Sequence, residues 1–235
     1  FFKKKNFFSD TTHILNSIPP NDSGDLLIEK IKSNLDIVSK KLKWFGYFSS
    51  TSVYGDHKGK WVDEDSKLNP TTTRGYLRML AEKEHMNVFR KYGLPIHIFR
   101  LPGIYGPGRS IFERLQRKGF LSIKKNGHFF SRVHVEDIAF AIVASIKKPS
   151  PGQIFNLADD FPCSSDKIVD YATELLKIPR IDKISVNDKE ISEITRSFYK
   201  DNKKISNKKI KKILGWTPKF RNYKLGLKAI FKNNS

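Results

Sequence analysis

Short apolar runs alternate along the chain with longer stretches whose apolar residues recur with a helical period. The apolar runs are Thr12–Ser17, Trp44–Ser50, Ile96–Leu101 and Gln153–Leu157, and the helical stretches between them are Asp25–Lys40, Thr73–Tyr92 and Val135–Ser145. Helices that alternate with buried strands are typical of β-α units around a parallel sheet. We therefore predict an α/β fold with a doubly wound parallel sheet, whose ligand cleft lies at the carboxyl ends of the strands.

Composition limits the class of protein further. With 235 residues, 38% of them hydrophobic, the chain can bury one sizeable core, and we predict a sheet domain over residues 1–150 interleaved with a smaller lobe over 151–235. Cys163 is the single cysteine, so an intramolecular disulfide framework is excluded. No apolar run approaches the roughly 20 residues that cross a bilayer. Charge also interrupts the opening segment Phe1–Lys5, and we expect a cytoplasmic protein without a membrane span.

A net charge of +20 favours an anionic partner. Nucleic acid is one candidate, but the lysines are spread over the whole chain rather than gathered in one patch. The densest run, within residues 203–212, is interleaved with Ile205, Ile210 and Ile213, a pattern that predicts an amphipathic helix with a solvated lysine face. We therefore favour a small anionic ligand and keep nucleic-acid binding as the outside alternative.

Four stretches, in consistent order, carry a family resemblance. They are Ser49–Gly55 followed by Glu64, then Arg100–Gly108, then Arg132–Ala139, and finally Phe155–Pro162 together with Ser206–Ile210 and Leu214–Pro218. Together they resemble the extended short-chain dehydrogenase/reductase family, which includes nucleotide-sugar epimerases and dehydratases. The resemblance covers most of the chain. It implies a Rossmann-like NAD(P)-binding sheet in residues 1–150 and a C-terminal substrate-binding lobe.

The resemblance assigns a cofactor side to the cleft. It implies that NAD or NADP binds at the strand ends and that the Ser50 hydroxyl hydrogen-bonds the reacting oxygen of the substrate. The other residues that it implies for cofactor contact are Ser17, Ile18, Pro19, Ser49, Arg78, Pro102, Gly103 and Ile104. Ser17, Ser50 and Pro102 each follow a predicted parallel strand, so they can converge on one crevice. The alternative for Ser50 is a hydroxyl that only caps a turn.

The sequence departs from the family at its catalytic pair. Active members carry Tyr-x-x-x-Lys on one helix face, and alignment on Ala81–Glu82 places Arg74 and Arg78 at those two positions. Tyr76 would point about 200° around the helix from Arg74, so it cannot replace the phenol without a register shift. Arg78 can donate hydrogen bonds to ribose hydroxyls, but arginine cannot exchange protons near neutral pH. We keep Ser50, Arg74, Arg78 and Tyr76 as the candidate catalytic residues.

Two functional hypotheses follow from this departure. The favoured one is an NAD(P)-dependent oxidoreductase or epimerase that acts on a small or nucleotide-sugar-like, anionic substrate. The other is a catalytically silent NAD(P)-binding regulatory protein. Ser17–Pro20 and Arg74–Arg78 resemble an atypical branch of the same family, usually described as NAD(P)-dependent epimerases or oxidoreductases. The resemblance also suggests a homodimer that pairs the helices around Asp25–Lys40 and Thr73–Tyr92.

Three residues are candidates for substrate binding. Arg109, beside two glycines, could bind a phosphate or carboxylate, and the alternative is a plain surface arginine. Arg132 and His134 fall in the segment that shapes the substrate side in the family, although a histidine between Val133 and Val135 is more often structural. No cluster of potential metal ligands stands out, so we expect no metal site.

The start of the chain lacks three features of a dinucleotide site. These are a strand, a glycine-rich turn and an acidic residue placed to bind ribose. We therefore expect that the N-terminal β-α units are missing from this sequence, or that another chain covers the edge of the first strand.

Overall fold

The structure, a computed structural model, describes residues 10–234. Its strands are β1 (His13–Asn16), β2 (Trp44–Ser50), β3 (Trp61–Val62), β4 (Ile96–Leu101), β5 (Gly103–Tyr105), β6 (Ser122–Lys124), β7 (Arg132–His134), β8 (Ile154–Asn156), β9 (Lys183–Ser185) and β10 (Lys204–Ile205). Its helices are α1 (Leu26–Ile31), α2 (Leu35–Lys41), α3 (Thr73–Tyr92), α4 (Ile111–Leu115), α5 (Val135–Lys147), α6 (Ser165–Leu176), α7 (Glu193–Ser197), α8 (Lys208–Leu214) and α9 (Tyr223–Asn234). The opening segment Phe1–Lys5 lies outside the described residues.

A four-stranded parallel sheet forms the centre of the molecule, and its order is β1-β2-β4-β8. The predicted α/β fold with a parallel sheet is confirmed. Because the strands are parallel, their carboxyl ends meet at one edge, where Ser50 pairs in register with Leu101. β1 is an outer strand of this sheet, and Leu15 on it is 47% exposed.

Helices cover the sheet on both faces, as parallel sheets require. α1, α2 and α3 pack on one face around Phe45, Tyr47 and Ile98. On the other face, α5 and α8 pack against Trp44, Phe99 and Phe155. The Trp44 indole also donates to Ser145 Oγ at 3.0 Å, which fastens α5 to β2.

The helix predicted over Asp25–Lys40 is interrupted. Asp25 caps α1 by accepting hydrogen bonds from the backbone N–H groups of Leu27 and Ile28, but a 3₁₀ turn at Lys32–Asn34 separates α1 from α2. The Asn34 amide donates to Ser33 Oγ there at 3.1 Å, and both residue types favour turns over helix interiors. The apolar period nevertheless continues across the turn, which is why the sequence suggested one helix.

The lysine-rich segment also differs from its prediction. α8 begins only at Lys208, whereas Ile205 belongs to β10 and pairs with β3. Lys203 is buried, and its ammonium group donates to the Gly55 carbonyl at 2.8 Å. The solvated helix face is therefore shorter than the sequence suggested.

A smaller lobe stands beside the carboxyl edge of the sheet. It contains the parallel pairs β5–β7 and β6–β9, and α4, α6 and α9 share a third apolar cluster. β8, although it lies after residue 150, is a strand of the central sheet. The division into two domains stays a prediction. No helix within residues 10–234 is long and apolar enough to cross a membrane.

Candidate functional site

Ser50 ends β2 and begins the 3₁₀ turn Thr51–Tyr54. Its Oγ accepts hydrogen bonds from the Ser52 backbone N–H at 3.1 Å and from Ser52 Oγ at 3.0 Å. A hydroxyl has two acceptor positions and one donor, so the Ser50 O–H is left to donate elsewhere. The capping role and the predicted donor role are therefore compatible in the half-buried Ser50 side chain.

A buried ion pair lies beside Ser49, the residue before Ser50. Arg100 Nη2 contacts Glu82 Oε2 at 2.7 Å, and Arg100 Nε donates to Glu82 Oε1 at 3.0 Å. Ser49 donates its hydroxyl to the same Glu82 oxygen at 2.6 Å and is only 4% exposed. Ser49, predicted as a cofactor contact, is thus directed into the protein interior.

The ion pair continues into a polar network that the sequence analysis missed. The Tyr54 phenol accepts from Arg100 Nη1 and donates to Asn156 Oδ1, both at 2.8 Å. Burial raises the pKa of Tyr54 to about 12, so this phenol stays protonated and holds the strand ends together. The available signal was Arg100 itself, a charged residue inside the apolar run Ile96–Leu101.

The three candidate residues on α3 separate in space. Arg78 is half-buried, and its Nη1 donates to the Tyr47 phenol at 3.1 Å and to the Phe48 carbonyl. Arg74 is exposed and Tyr76 is 51% exposed, so both point toward solvent. Of the three, only Arg78 reaches the sheet.

The loop after β1 is fixed at its base. Asn16 Oδ1 accepts from the Ile18 N–H at 3.0 Å, and Asn16 Nδ2 donates to both carboxylate oxygens of Asp25 at 3.0 and 2.9 Å. Ser17 and Pro19 remain exposed beyond it, at the carboxyl edge of the sheet. The predicted cofactor loop is therefore accessible and anchored.

Pro102 leads from the sheet into the wall of a cavity of about 540 Å³. β5 pairs with β7 there, with Gly103 opposite Arg132. Gly103, Ile104, Arg109 and Arg132 all line this cavity, and the C-terminal lobe contributes Tyr223. The structure thus brings together two residues predicted for the cofactor loop and two predicted for the substrate.

The cavity is strongly cationic. Four arginines line it, namely Arg109, Arg114, Arg117 and Arg132, and none of them forms a salt bridge with a carboxylate of the described residues. Glu113, the acid in the lining, accepts from the Ser110 N–H at 2.7 Å and from its hydroxyl, so it is engaged in capping α4. Arg132 donates to the carbonyls of Phe130 and Cys163, at 3.0 and 3.3 Å. Such a site attracts anionic groups.

His134, predicted as a substrate contact, does not line the cavity. It is 1% exposed, and its Nδ1 accepts from the Glu136 N–H at 3.3 Å at the start of α5. Its ring packs at 4.1 Å from the Phe220 ring, and burial lowers its pKa, which favours the neutral form. The structure corresponds to the structural alternative for this histidine. Among residues 10–234 no group of three potential metal ligands is assembled.

With this geometry established, sequence comparison identifies the family. A sequence model described as "NAD dependent epimerase/dehydratase family" matches residues 33–158, which is more than half of the chain. The chain belongs to the NAD-dependent epimerase/dehydratase family. The resemblance inferred from the four motifs is confirmed.

Curated relatives match over part of their length. Protein YeeZ of Escherichia coli K12 is 30% identical over 152 residues, which cover 63% of this chain and 53% of YeeZ. Human dTDP-D-glucose 4,6-dehydratase is 27% identical over 146 residues, which cover 59% of this chain and 41% of that protein. The chain thus spans about half, or less, of the length of these relatives.

Solved structures support the fold. A conserved protein of unknown function from Silicibacter pomeroyi DSS shares 40% identity with a TM-score of 0.90, covering 95% of this chain and 78% of that one. The dTDP-glucose 4,6-dehydratase from Bacillus anthracis, solved with NAD, has a TM-score of 0.74 at 19% identity, covering 95% of this chain and 72% of that one. The predicted Rossmann-like fold is confirmed.

Proposed function

We propose that the protein is an NAD(P)-dependent oxidoreductase or epimerase that acts on a nucleotide-sugar-like, anionic substrate. The observation that carries this proposal is that the carboxyl edge of the sheet leads directly into the arginine-lined cavity. β4 ends beside the Ser50 turn, and the chain then runs through Pro102 and Gly103 into the wall of the arginine-lined cavity. A cofactor at the strand ends and an anionic substrate in the cavity would therefore lie side by side.

The residues at the strand ends fit a dinucleotide. Nη1 of Arg78 is engaged with the protein, while its Nε and Nη2 make no hydrogen bond to the described residues and suit ribose hydroxyls. The exposed Ser17–Pro19 loop and the Pro102–Gly103 turn would contact the rest of the nicotinamide half. When bound, the nicotinamide supplies the hydride acceptor or donor.

The protein's own residues would bind and polarise the substrate. The unused Ser50 O–H would donate to the reacting oxygen, and Arg109 and Arg132 would bind the anionic groups of the substrate. Neither Arg74 nor Arg78 exchanges protons near neutral pH. The Tyr76 phenol, also on α3, is 51% exposed and points to solvent, so water would accept or donate the proton of the reacting oxygen.

A catalytically silent NAD(P)-binding protein is the second candidate. It is favoured by the replacement of the family's phenol–lysine pair with Arg74, which faces solvent, and Arg78, which is anchored on β2. In this case the cofactor would bind without hydride transfer and would serve as a regulatory ligand.

Titration with NADH and NADPH, followed by nicotinamide fluorescence, tests the cofactor part of the proposal. We expect binding that Arg78→Ala weakens about tenfold, since a charge-assisted contact to ribose is lost. Arg90→Ala is the control, because Arg90 lies on the same helix and hydrogen-bonds only Asn87 among the described residues. A protein that binds neither nucleotide contradicts both candidate functions.

Turnover distinguishes the two candidates. With bound cofactor and a panel of UDP- and dTDP-sugars, Ser50→Ala should slow the enzyme about 10²-fold, because one preorganised donor is lost. Ser33→Ala is the control, because Ser33 is an exposed serine in the turn between α1 and α2, and it should leave the rate unchanged. Cofactor binding without turnover on any sugar supports the silent protein.

Three further expectations stay predictions. A homodimer through the α1–α3 side is supported by the exposure of Ile37, Tyr76 and Leu80 on those helices. A cytoplasmic location and the absence of nucleic-acid binding rest on the sequence alone. If the protein binds a labelled oligonucleotide at low salt and this binding weakens as salt is added, the nucleic-acid alternative is supported.

A further inference from the structure

Arg78 rests on a buried tyrosine that the family resemblance does not assign. Tyr47 lies on β2 with no exposed surface, and its phenol oxygen accepts the Arg78 Nη1 hydrogen bond at 3.1 Å. The guanidinium carbon lies 5.6 Å from the Tyr47 ring centroid, so the cation also faces the aromatic ring. The Phe48 carbonyl holds the same nitrogen. Both contacts therefore fix one end of the guanidinium group.

Tyr47 itself is held rigidly. Its ring stacks on His85, with centroids 4.0 Å apart and planes inclined by 18°. His85 is two helical turns after Arg78, so α3 presents both side chains to β2 on one face. His85 Nδ1 is hydrogen-bonded to the Ala81 carbonyl at 2.8 Å. Tyr47 cannot turn away from Arg78 without breaking this stack.

The charges around this stack do not compete for Arg78. Asp25, the acid nearest to the imidazole in the described residues, lies 4.0 Å from His85 Nε2 and is occupied by Asn16 and the start of α1. Glu82, one turn from Arg78 on the same helix, is paired with Arg100. Burial lowers the pKa of His85, which favours a neutral ring against Tyr47. No carboxylate of the described residues therefore pairs with the guanidinium group of Arg78, which can interact with a ligand.

We propose that Tyr47 is the positioning residue of the cofactor site. By fixing Nη1, it directs the free Nε and Nη2 edge of Arg78 toward the carboxyl end of β2, where the nicotinamide ribose would bind. A long arginine side chain would otherwise have to be ordered at the moment of binding, at a cost in affinity. This inference rests on the proposed cofactor role of Arg78.

Tyr47→Phe removes the phenol oxygen and keeps the ring. We expect the dissociation constant for NADH to rise about three- to tenfold, the size expected for one hydrogen bond. Tyr54→Phe is the matched control, because Tyr54 makes the same kind of contact with Arg100, and it should leave NADH affinity unchanged. In an Arg78→Ala background, Tyr47→Phe should have no further effect on NADH binding. An equal effect in both backgrounds would mean that Tyr47 acts only through general packing, which overturns the proposal.

A measurement on the unmodified protein, without cofactor, separates this inference from the proposed function. In ¹⁵N NMR spectra, the guanidinium group of Arg78 should show restricted rotation with resolved Nη signals, and Tyr47→Phe should average them. Restricted rotation without NADH binding would contradict the cofactor role and leave the anchoring intact. Freely rotating Arg78 in the wild-type protein would overturn the inference about Tyr47, whether or not NADH binds.

Discussion

Two tyrosine–arginine pairs lie on β2 and just after it, and they differ in burial and in charge pairing. In both pairs a guanidinium Nη1 donates to a phenol, at 2.8 Å for Arg100 and Tyr54 and at 3.1 Å for Arg78 and Tyr47. Arg100 is 2% exposed and is neutralised by Glu82, whereas Arg78 is half-buried and no carboxylate of the described residues pairs with it.

The difference separates scaffold from site. A buried charge must be matched inside the protein, because its desolvation is costly when it is left alone. Arg100 is matched and therefore holds the strand ends. No carboxylate of the described residues neutralises Arg78, and its Nε and Nη2 make no hydrogen bond to those residues. An arginine that binds a ligand has these properties.

The largest expected effect is a difference in stability between two single variants, each with the arginine of one pair replaced by methionine. Arg100→Met leaves Glu82 buried without its partner and should lower the free energy of unfolding by about 3–5 kcal/mol. Arg78→Met should cost less, about 1–2 kcal/mol, because it leaves the Tyr47 phenol without its hydrogen-bond donor but strands no buried charge. Urea denaturation measures both values. Equal losses would show that the two arginines do not differ in the way described.

A third arginine provides a test by pH. Burial lowers the pKa of Arg132, and the charge of Asp159 opposes that shift. Burial also raises the pKa of Asp159 itself, to about 7. A raised pKa means that the folded state favours the protonated acid. The resulting stability is present at low pH and is lost as the pH rises from about 4, the ordinary value for Asp, through about 7.

Asp159→Asn should therefore lose this part of the pH dependence. Its stability relative to the wild type should be higher at about pH 8 than at about pH 5. Asp188→Asn is the control, because Asp188 accepts from the backbone two residues on, as Asp159 does, but at the surface. Thermal unfolding at the two pH values gives the comparison. Parallel pH profiles for Asp159→Asn and the wild type would refute the buried titration.

The smallest effect should separate two adjacent serines. Ser49→Ala removes a buried hydrogen bond to the charged Glu82 and should cost about 2 kcal/mol. Ser50→Ala removes a turn cap on a half-buried side chain and should cost about 1 kcal/mol or less. Chemical denaturation measures the difference. A greater loss for Ser50 would place it in the scaffold rather than at the site.

Much of the fold could be predicted from local patterns. The predicted bounds of β2, β4 and α3 coincide with the observed Trp44–Ser50, Ile96–Leu101 and Thr73–Tyr92. The same patterns failed at Ser33 and Asn34 between α1 and α2, where two residues that favour turns separate the helices. They also failed where β pairing between distant segments took Ile205 out of the predicted helix.

The sequence by itself determined the family, the parallel sheet and the neighbourhood of the cleft, because periodicity and motif spacing are properties of neighbouring residues. Only the tertiary structure decided which polar group faces which partner. Ser49 and Ser50 are adjacent but point to opposite faces of a strand, and Glu82 on α3 selects the first of them. Tyr47 and Arg78 meet across 31 residues and Glu82 and Arg100 across 18. Those contacts depend on how α3 packs on the sheet, and this packing cannot be predicted from the pattern of neighbouring residues.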